Sequence, residues 1–229
     1  KLAEEVIASP VIVKTSPNIL QANISKVAAL KELKREADAV AAIEQMFADN
    51  VVENATDATP EVRTNADRTL RFHQCIGYYT LMRQGGGIDS AYLDKVQKCV
   101  ADYELKYPDK TQADDYLPHM YFYALQSLML RSGKEDFAPA VAICDKFVER
   151  FKTHEYYATV LTVKANIIIS TKDKANFEIA MRNLEEAVQV ALARPEGKGK
   201  PSAGEALNKL CININLAFLT KEDGSKETP

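Results

Sequence analysis

The residues of this chain that could do chemistry are few, and their spacing argues against most of it. His73, His119 and His154, with Cys75, Cys99, Cys144 and Cys211, are the nitrogen and sulfur donors. His73 and Cys75 stand two apart, which on a helix sets them about 200° apart around the axis, so the pair does not chelate one ion. His119 and His154 sit beside helix starts with no Cys or acid at ligand spacing. Gly85-Gly86-Gly87 and Gly197-Lys198-Gly199-Lys200 lack the preceding strand and the Ser/Thr that a phosphate-binding loop needs. Asp114-Asp115 and Glu185-Glu186 are neighbours in sequence and face different sides of a helix, not one acid–base site. The expectation is no catalytic residue, no metal and no cofactor. Asn23-Ile24-Ser25 and Asn54-Ala55-Thr56 have the form of glycosylation sequons and read as helix-start residues.

Tyrosine is the residue type that stands out. The chain has 10 Tyr and no Trp, and most of the tyrosines lie between Tyr78 and Tyr123. A phenol offers a flat apolar face with a polar tip, a composition favoured at protein-binding surfaces. Tyr103 and Tyr107 fall on a core stripe. Tyr79, Tyr116 and Tyr123 are the candidates for lining a partner groove.

Those side chains must be positioned by helices. Apolar residues recur at helical spacing from Ser25 onward almost without a break. The first 20 residues differ: Pro10 and Pro17 flank Val11-Ile12-Val13, which reads as an extended arm or linker over 1–20. Leu30, Leu33, Ala37, Val40, Ile43 and Phe47 trace a first long helix. Thr59-Pro60-Glu61 opens a second that runs to about Arg83. Asp89 or Ser90 caps a third, ending before Pro108. Asp109–Gln112 reads as a capping box for a fourth through Leu117, Tyr121, Ala124, Leu125 and Leu128, which Gly133 breaks. The fifth carries Cys144 and Phe147, the sixth Tyr157 to Ile168, and the seventh Phe177 to Ala191. Ser202–Glu205 reads as a capping box for the last, with Leu207, Leu210, Cys211, Ile214, Ala217 and Phe218 as its inner stripe. The tail, 221–229, reads as polar and frayed. The cysteines read as free thiols packed like small apolar residues.

Two segments repeat. Lys98–Tyr107 aligns without a gap on Ala142–Phe151, placing Tyr103 on Phe147 and Tyr107 on Phe151 at an offset of 44 residues. Repetition at this scale is the signature of stacked helical units. Eight helices with short links predict about four antiparallel hairpins over 21–220, each burying its faces against the next.

The motif Tyr103-x-x-x-Tyr107-Pro108-Asp109, its copy at Phe147 to Phe151, Gly133-Lys134 ahead of the Ala140-Val141 helix, and Asn213-Ile214-Asn215-Leu216-Ala217 resemble divergent tetratricopeptide-like helical repeats. The likeness is greatest to the irregular kind in bacterial periplasmic assembly proteins, and it covers residues 90–220. It implies an all-α fold, a right-handed solenoid-like array, and a groove that takes a peptide or another protein. The chain starts at Lys1 and not at Met, which reads either as removal of a signal peptide, favouring an exported or periplasmic protein, or as a segment cut from something longer; the compartment stays open.

Composition narrows the classes further. With 46% hydrophobic and 27% charged residues and a net charge of −3, the chain has the makeup of a globular protein without a basic nucleic-acid footprint. No apolar run reaches the roughly 18 residues of a transmembrane helix. The expected function is a non-enzymatic interaction or scaffold module. The alternatives are an accessory helical domain of a larger exported protein whose catalytic domain lies elsewhere, and an all-helical enzyme.

Overall fold

The computed structural model describes residues 2–9, 15–84, 89–108, 115–131, 136–171, 174–194 and 200–219. Every regular element among them is an α-helix. In chain order these are α1 (Leu2–Ala8), α2 (Pro17–Glu32), α3 (Glu36–Ala48), α4 (Val51–Asn54), α5 (Pro60–Arg83), α6 (Ser90–Lys106), α7 (Leu117–Arg131), α8 (Phe137–Arg150), α9 (Tyr157–Ser170), α10 (Lys174–Leu192) and α11 (Lys200–Leu219). The chain divides into two compact units, 1–131 and 132–229.

In the first unit, helix starts follow local chemistry. The Thr59 hydroxyl accepts from the Val62 N–H at 3.3 Å with Pro60 in the first turn, and α5 ends at Arg83 as its pattern predicts. Asp89 caps α6 by accepting from the Ala91 N–H at 2.9 Å. The capping box expected at 109–112 and the glycines at 85–87 and 133 lie outside the described residues.

The N-terminal region corrects two expectations. The extended arm over 1–20 contains α1, and α2 begins inside it. Pro17 does not block the helix there; it occupies the first helical turn, behind a Ser16 cap whose hydroxyl accepts from the Asn18 N–H at 3.2 Å. Val11-Ile12-Val13 lies outside the described residues. The one long helix expected through Phe47 is two, because Lys34 turns left-handed at φ 57°. The Lys34 N–H reaches the Lys31 carbonyl at 2.9 Å and the Arg35 N–H the Leu30 carbonyl at 2.9 Å, the paired closure that usually has glycine at this position. Substituting Lys34→Gly removes the side-chain penalty of that conformation. It should stabilise the protein by about 1 kcal/mol in denaturant unfolding.

Packing in this unit has a consistent direction. The Glu44 carboxylate accepts from the Tyr78 hydroxyl at 2.5 Å, and the Arg71 guanidinium lies 5.0 Å from the Phe47 ring centre. Index therefore rises on α3 as it falls on α5, and the two are antiparallel. By the same logic α6 runs against α5, with Lys106 and Tyr107 on Asp67 and Cys99 on Gln74. It also runs against α7, with Glu104 accepting from the Tyr121 hydroxyl and the Gln97 amide donating to the Ala124 carbonyl. Leu93, Val96, Tyr103, Leu117, Met120, Tyr121 and Leu125 are fully enclosed between these helices.

The second unit packs α8 on α9, α9 on α10 and α10 on α11, with α9 and α10 antiparallel, since Arg194 after α10 donates to the His154 carbonyl ahead of α9 at 2.5 Å. The Tyr157 hydroxyl donates to Glu186 at 2.7 Å across α9 and α10, and Asp145 pairs with Lys164 at 2.6 Å across α8 and α9. Two details of α11 differ from expectation. It starts at Lys200, ahead of the capping box read at Ser202. The residues it buries are Ala203 and Ala206, while Leu207 is 49% exposed and Cys211 is exposed. Leu210, also on the expected stripe, packs against Ala165, Ala180 and Leu184. Side chains beyond Ile212 lie outside the description, and so does the tail, 221–229.

The two segments aligned in sequence have the same local geometry within their own units. Val96 and Ala140, Val100 and Cys144, and Tyr103 and Phe147 are buried at corresponding positions. The ring pairs Tyr103–Tyr107 and Phe147–Phe151 have centre separations of 5.0 and 5.3 Å with tilts of 54° and 59°. Both helices close with a cap N–H bonded four residues back at 2.9 Å, from Tyr107 and from Phe151. All four cysteines are free. Cys75, Cys99 and Cys144 are buried, and burial pushes the thiols of Cys99 and Cys144 up to about 12.

Candidate functional site

The sequence-selected tyrosines converge on one face of the first unit. The Tyr79 ring, on α5, lies 5.0 Å from the Tyr123 ring on α7. Seven residues earlier in each segment, Phe72 of α5 stacks on Tyr116, which directly precedes α7, with centres 4.8 Å apart and planes at 30°. Both pairs join positions 44 residues apart, so α5 and α7 run parallel and in register over at least two turns. The Tyr116 hydroxyl also lies 3.1 Å from the Thr69 hydroxyl. All four rings are half-buried.

Phe72 was not singled out from sequence, yet it forms the other half of the Tyr116 stack. Its signal was available in the spacing, since Phe72 precedes Tyr116 by the repeat offset of 44. His73 and His119 flank it, with ring centres 5.7 and 6.1 Å from the Phe72 ring. His73 is the partner of a lysine: Lys31 Nζ, on α2, donates to His73 Nδ1 at 3.0 Å. Burial, reinforced by the Lys31 charge, lowers the His73 pKa to about 4, so the imidazole is neutral and accepts. Burial also lowers the Lys31 pKa, against a smaller opposing pull from Glu36. At the other end of the row the exposed Arg83 guanidinium lies 5.6 Å from the Tyr79 ring centre and 3.5 Å from its hydroxyl.

Neither a family model, nor a curated protein, nor a solved structure matches this chain. Its reading therefore rests on its own residues.

The remaining candidates are dispersed. His154 Nδ1 accepts from the Tyr156 N–H at 3.2 Å and packs edge-on to Phe147, which makes it part of the turn into α9. Asp115 is exposed, Asp114 lies outside the described residues, and Glu186 serves Tyr157. Among the described residues no three His, Cys, Asp or Glu side chains are grouped to hold a metal ion. No described helix is long and apolar enough to cross a membrane.

A concave feature lies wholly in the second unit. A groove of about 1060 Å³ is walled by Phe137 and Val141 of α8, floored by Ile167 and Ile168 of α9, and bounded by Ile179 of α10. The Asp145–Lys164 pair closes one end.

Proposed function

We propose that this chain is a non-enzymatic interaction module. Its hairpins would stack as a short right-handed solenoid-like array of divergent tetratricopeptide-like repeats, and its α5/α7 face would take a segment of a protein partner. The observation that carries this reading is the aromatic row: Phe72–Tyr116 and Tyr79–Tyr123 repeat at one register along α5 and the segment that leads into α7, each ring half-buried. Buried packing accounts for Tyr103 and Tyr121, but it does not account for four half-exposed rings in line. Flat, stiff side chains of this type contribute most of the energy at protein interfaces while losing little conformational entropy on binding. The matching burial registers of α6 and α8 support the repeat reading.

The test is affinity capture with the wild-type chain and a Tyr79→Ala/Tyr123→Ala variant of equal helicity by circular dichroism. A partner retained by the wild type should be held at least about tenfold more weakly by the variant, given one to two kcal/mol per truncated aromatic anchor. Equal retention of the same proteins by both would remove this face from the function.

A further inference from the structure

We infer that the groove of the second unit takes an aromatic side chain of a protein partner, with a tyrosine hydroxyl reaching Asp145. This site belongs to the other unit from the α5/α7 face, and it holds or fails without that face. The first unit contains the same site, already filled by its own side chains.

Burial sets the correspondence. Ala39, Ile43 and Met46 of α3 are buried where Ala140, Cys144 and Phe147 are on α8, 101 residues later. Leu70, Cys75 and Gly77 of α5 match Val160, Ala165 and Ile167 of α9 at an offset of 90. Val96, Val100 and Tyr103 of α6 match Ala180, Leu184 and Ala187 of α10 at an offset of 84. By these registers the groove residues Asp145, Lys164, Ile168, Asn176 and Ile179 stand where the first unit has Glu44, Gln74, Tyr78, Tyr92 and Lys95. Those five first-unit residues form one packed cluster. The Tyr78 and Tyr92 ring centres are 6.1 Å apart, and Lys95 Nζ lies 4.8 and 5.6 Å from them. The Tyr78 hydroxyl donates to Glu44 at 2.5 Å and accepts from the Gln74 amide at 3.2 Å.

In the second unit neither tyrosine position has a ring. The floor differs as well. Gly77 lets Val40 pack tightly, and Val40 is 4% exposed. Ile167 puts a branched side chain at the glycine's position, and Val141, the counterpart of Val40, is half-buried and lines the groove. What remains is the opening of about 1060 Å³, with apolar walls and an acid at one end. The acid keeps a lysine, supplied by a different helix: Lys95 of α6 lies 3.3 Å from Glu44, and Lys164 of α9 lies 2.6 Å from Asp145. A lysine does not exclude a phenol, since Glu44 Oε1 accepts from Lys95 and Tyr78 together. An apolar cleft with one fixed acceptor matches a tyrosine side chain, apolar along the ring and polar at the tip. From Phe137 to Asp145 the groove follows eight residues of α8, about 12 Å, the span of three or four extended residues. It therefore has room for a ring together with its flanking main chain, which favours a protein segment over a lone small molecule.

The experiment pans a random dodecapeptide phage library on the full chain. Selected peptides are titrated against wild type, Asn176→Tyr/Ile179→Lys, Ile179→Lys alone and Tyr79→Ala/Tyr123→Ala. The first variant refills the groove with the residue types that the first unit has there. Ile179 is 40% exposed, so its single variant folds whatever becomes of the Asn176 change. One class of peptides should lose at least about tenfold in affinity to the double variant, about threefold to Ile179→Lys and nothing to Tyr79→Ala/Tyr123→Ala. Each should bear a Tyr or Phe without which binding is lost, and a Tyr→Phe change in the peptide should weaken binding about fivefold through loss of the bond to Asp145. Groove-dependent peptides anchored by aliphatic or charged residues overturn the inference. So does a selection, empty or not, in which no peptide tells the two Ile179 variants from wild type. Either result leaves the α5/α7 reading to its own variant.

Discussion

Gly77→Ala should destabilise the first unit by about 2 kcal/mol, although alanine is the better helix former by about 1 kcal/mol. A Cβ at position 77 would fall far inside van der Waals contact of Val40 Cγ2 and 3.2 Å from Glu36 Oε1. Valine in a helix has essentially one side-chain rotamer, so Val40 cannot swing aside and the two helices must separate. Glycine in the middle of a 24-residue helix is therefore present for the approach of α3 and not for backbone freedom. The cause is separable by a double-mutant cycle in urea unfolding. In a Val40→Ala background the obstructing methyl is gone, and Gly77→Ala should become neutral or stabilising. The same penalty in both backgrounds would show that the glycine is not needed for the α3–α5 contact.

Asp67→Asn should cost about 3 kcal/mol and remove part of the acid sensitivity of the first unit. The Asp67 carboxylate accepts from the Tyr107 hydroxyl at 2.5 Å, Arg71 Nε at 2.7 Å and Lys106 Nζ at 3.0 Å, joining α5 to the end of α6. Burial pushes its pKa up, but the hydrogen bonds from Tyr107, Arg71 and Lys106 outweigh burial and hold it below the ordinary 3.8. A carboxyl whose native pKa is depressed stabilises the fold above its unfolded pKa and loses that contribution as pH falls through the native value. Wild-type stability should therefore drop below about pH 4, and the drop should be shallower in Asp67→Asn. Parallel pH–stability curves for the two proteins would mean that this carboxylate is not a determinant. Tyr107→Phe should lose less, since Arg71 and Lys106 still hold the charge.

Much of the helical layout was legible because short-range chemistry decides it. Thr59-Pro60 and Asp89 locate the starts of α5 and α6 through bonds made within three residues. The burial registers at Tyr103 and Phe147 follow from apolar spacing alone. What was hidden depends on contacts distant in sequence or on an unusual choice of residue. Lys34 ends α2 where glycine would have announced the turn, and Pro17 was read as a breaker when its place behind Ser16 made it a starter. On α11, Ala203 and Ala206 are buried and Leu207 is exposed, while Leu210 packs against Ala165, Ala180 and Leu184 of α9 and α10, a choice that depends on those helices. Tyr79, Tyr116 and Tyr123 were selected for composition, but their alignment with Phe72 comes from the register of α5 on α7. No reading of a single helix contains that register.

The cysteines have a practical consequence. Three thiols are enclosed and disinclined to ionise, whereas Cys211 stands exposed on α11. A maleimide fluorophore or nitroxide added to the folded protein will mark a single address in the second unit without any engineering. Peptide addition and denaturation can then be followed spectroscopically on the natural chain.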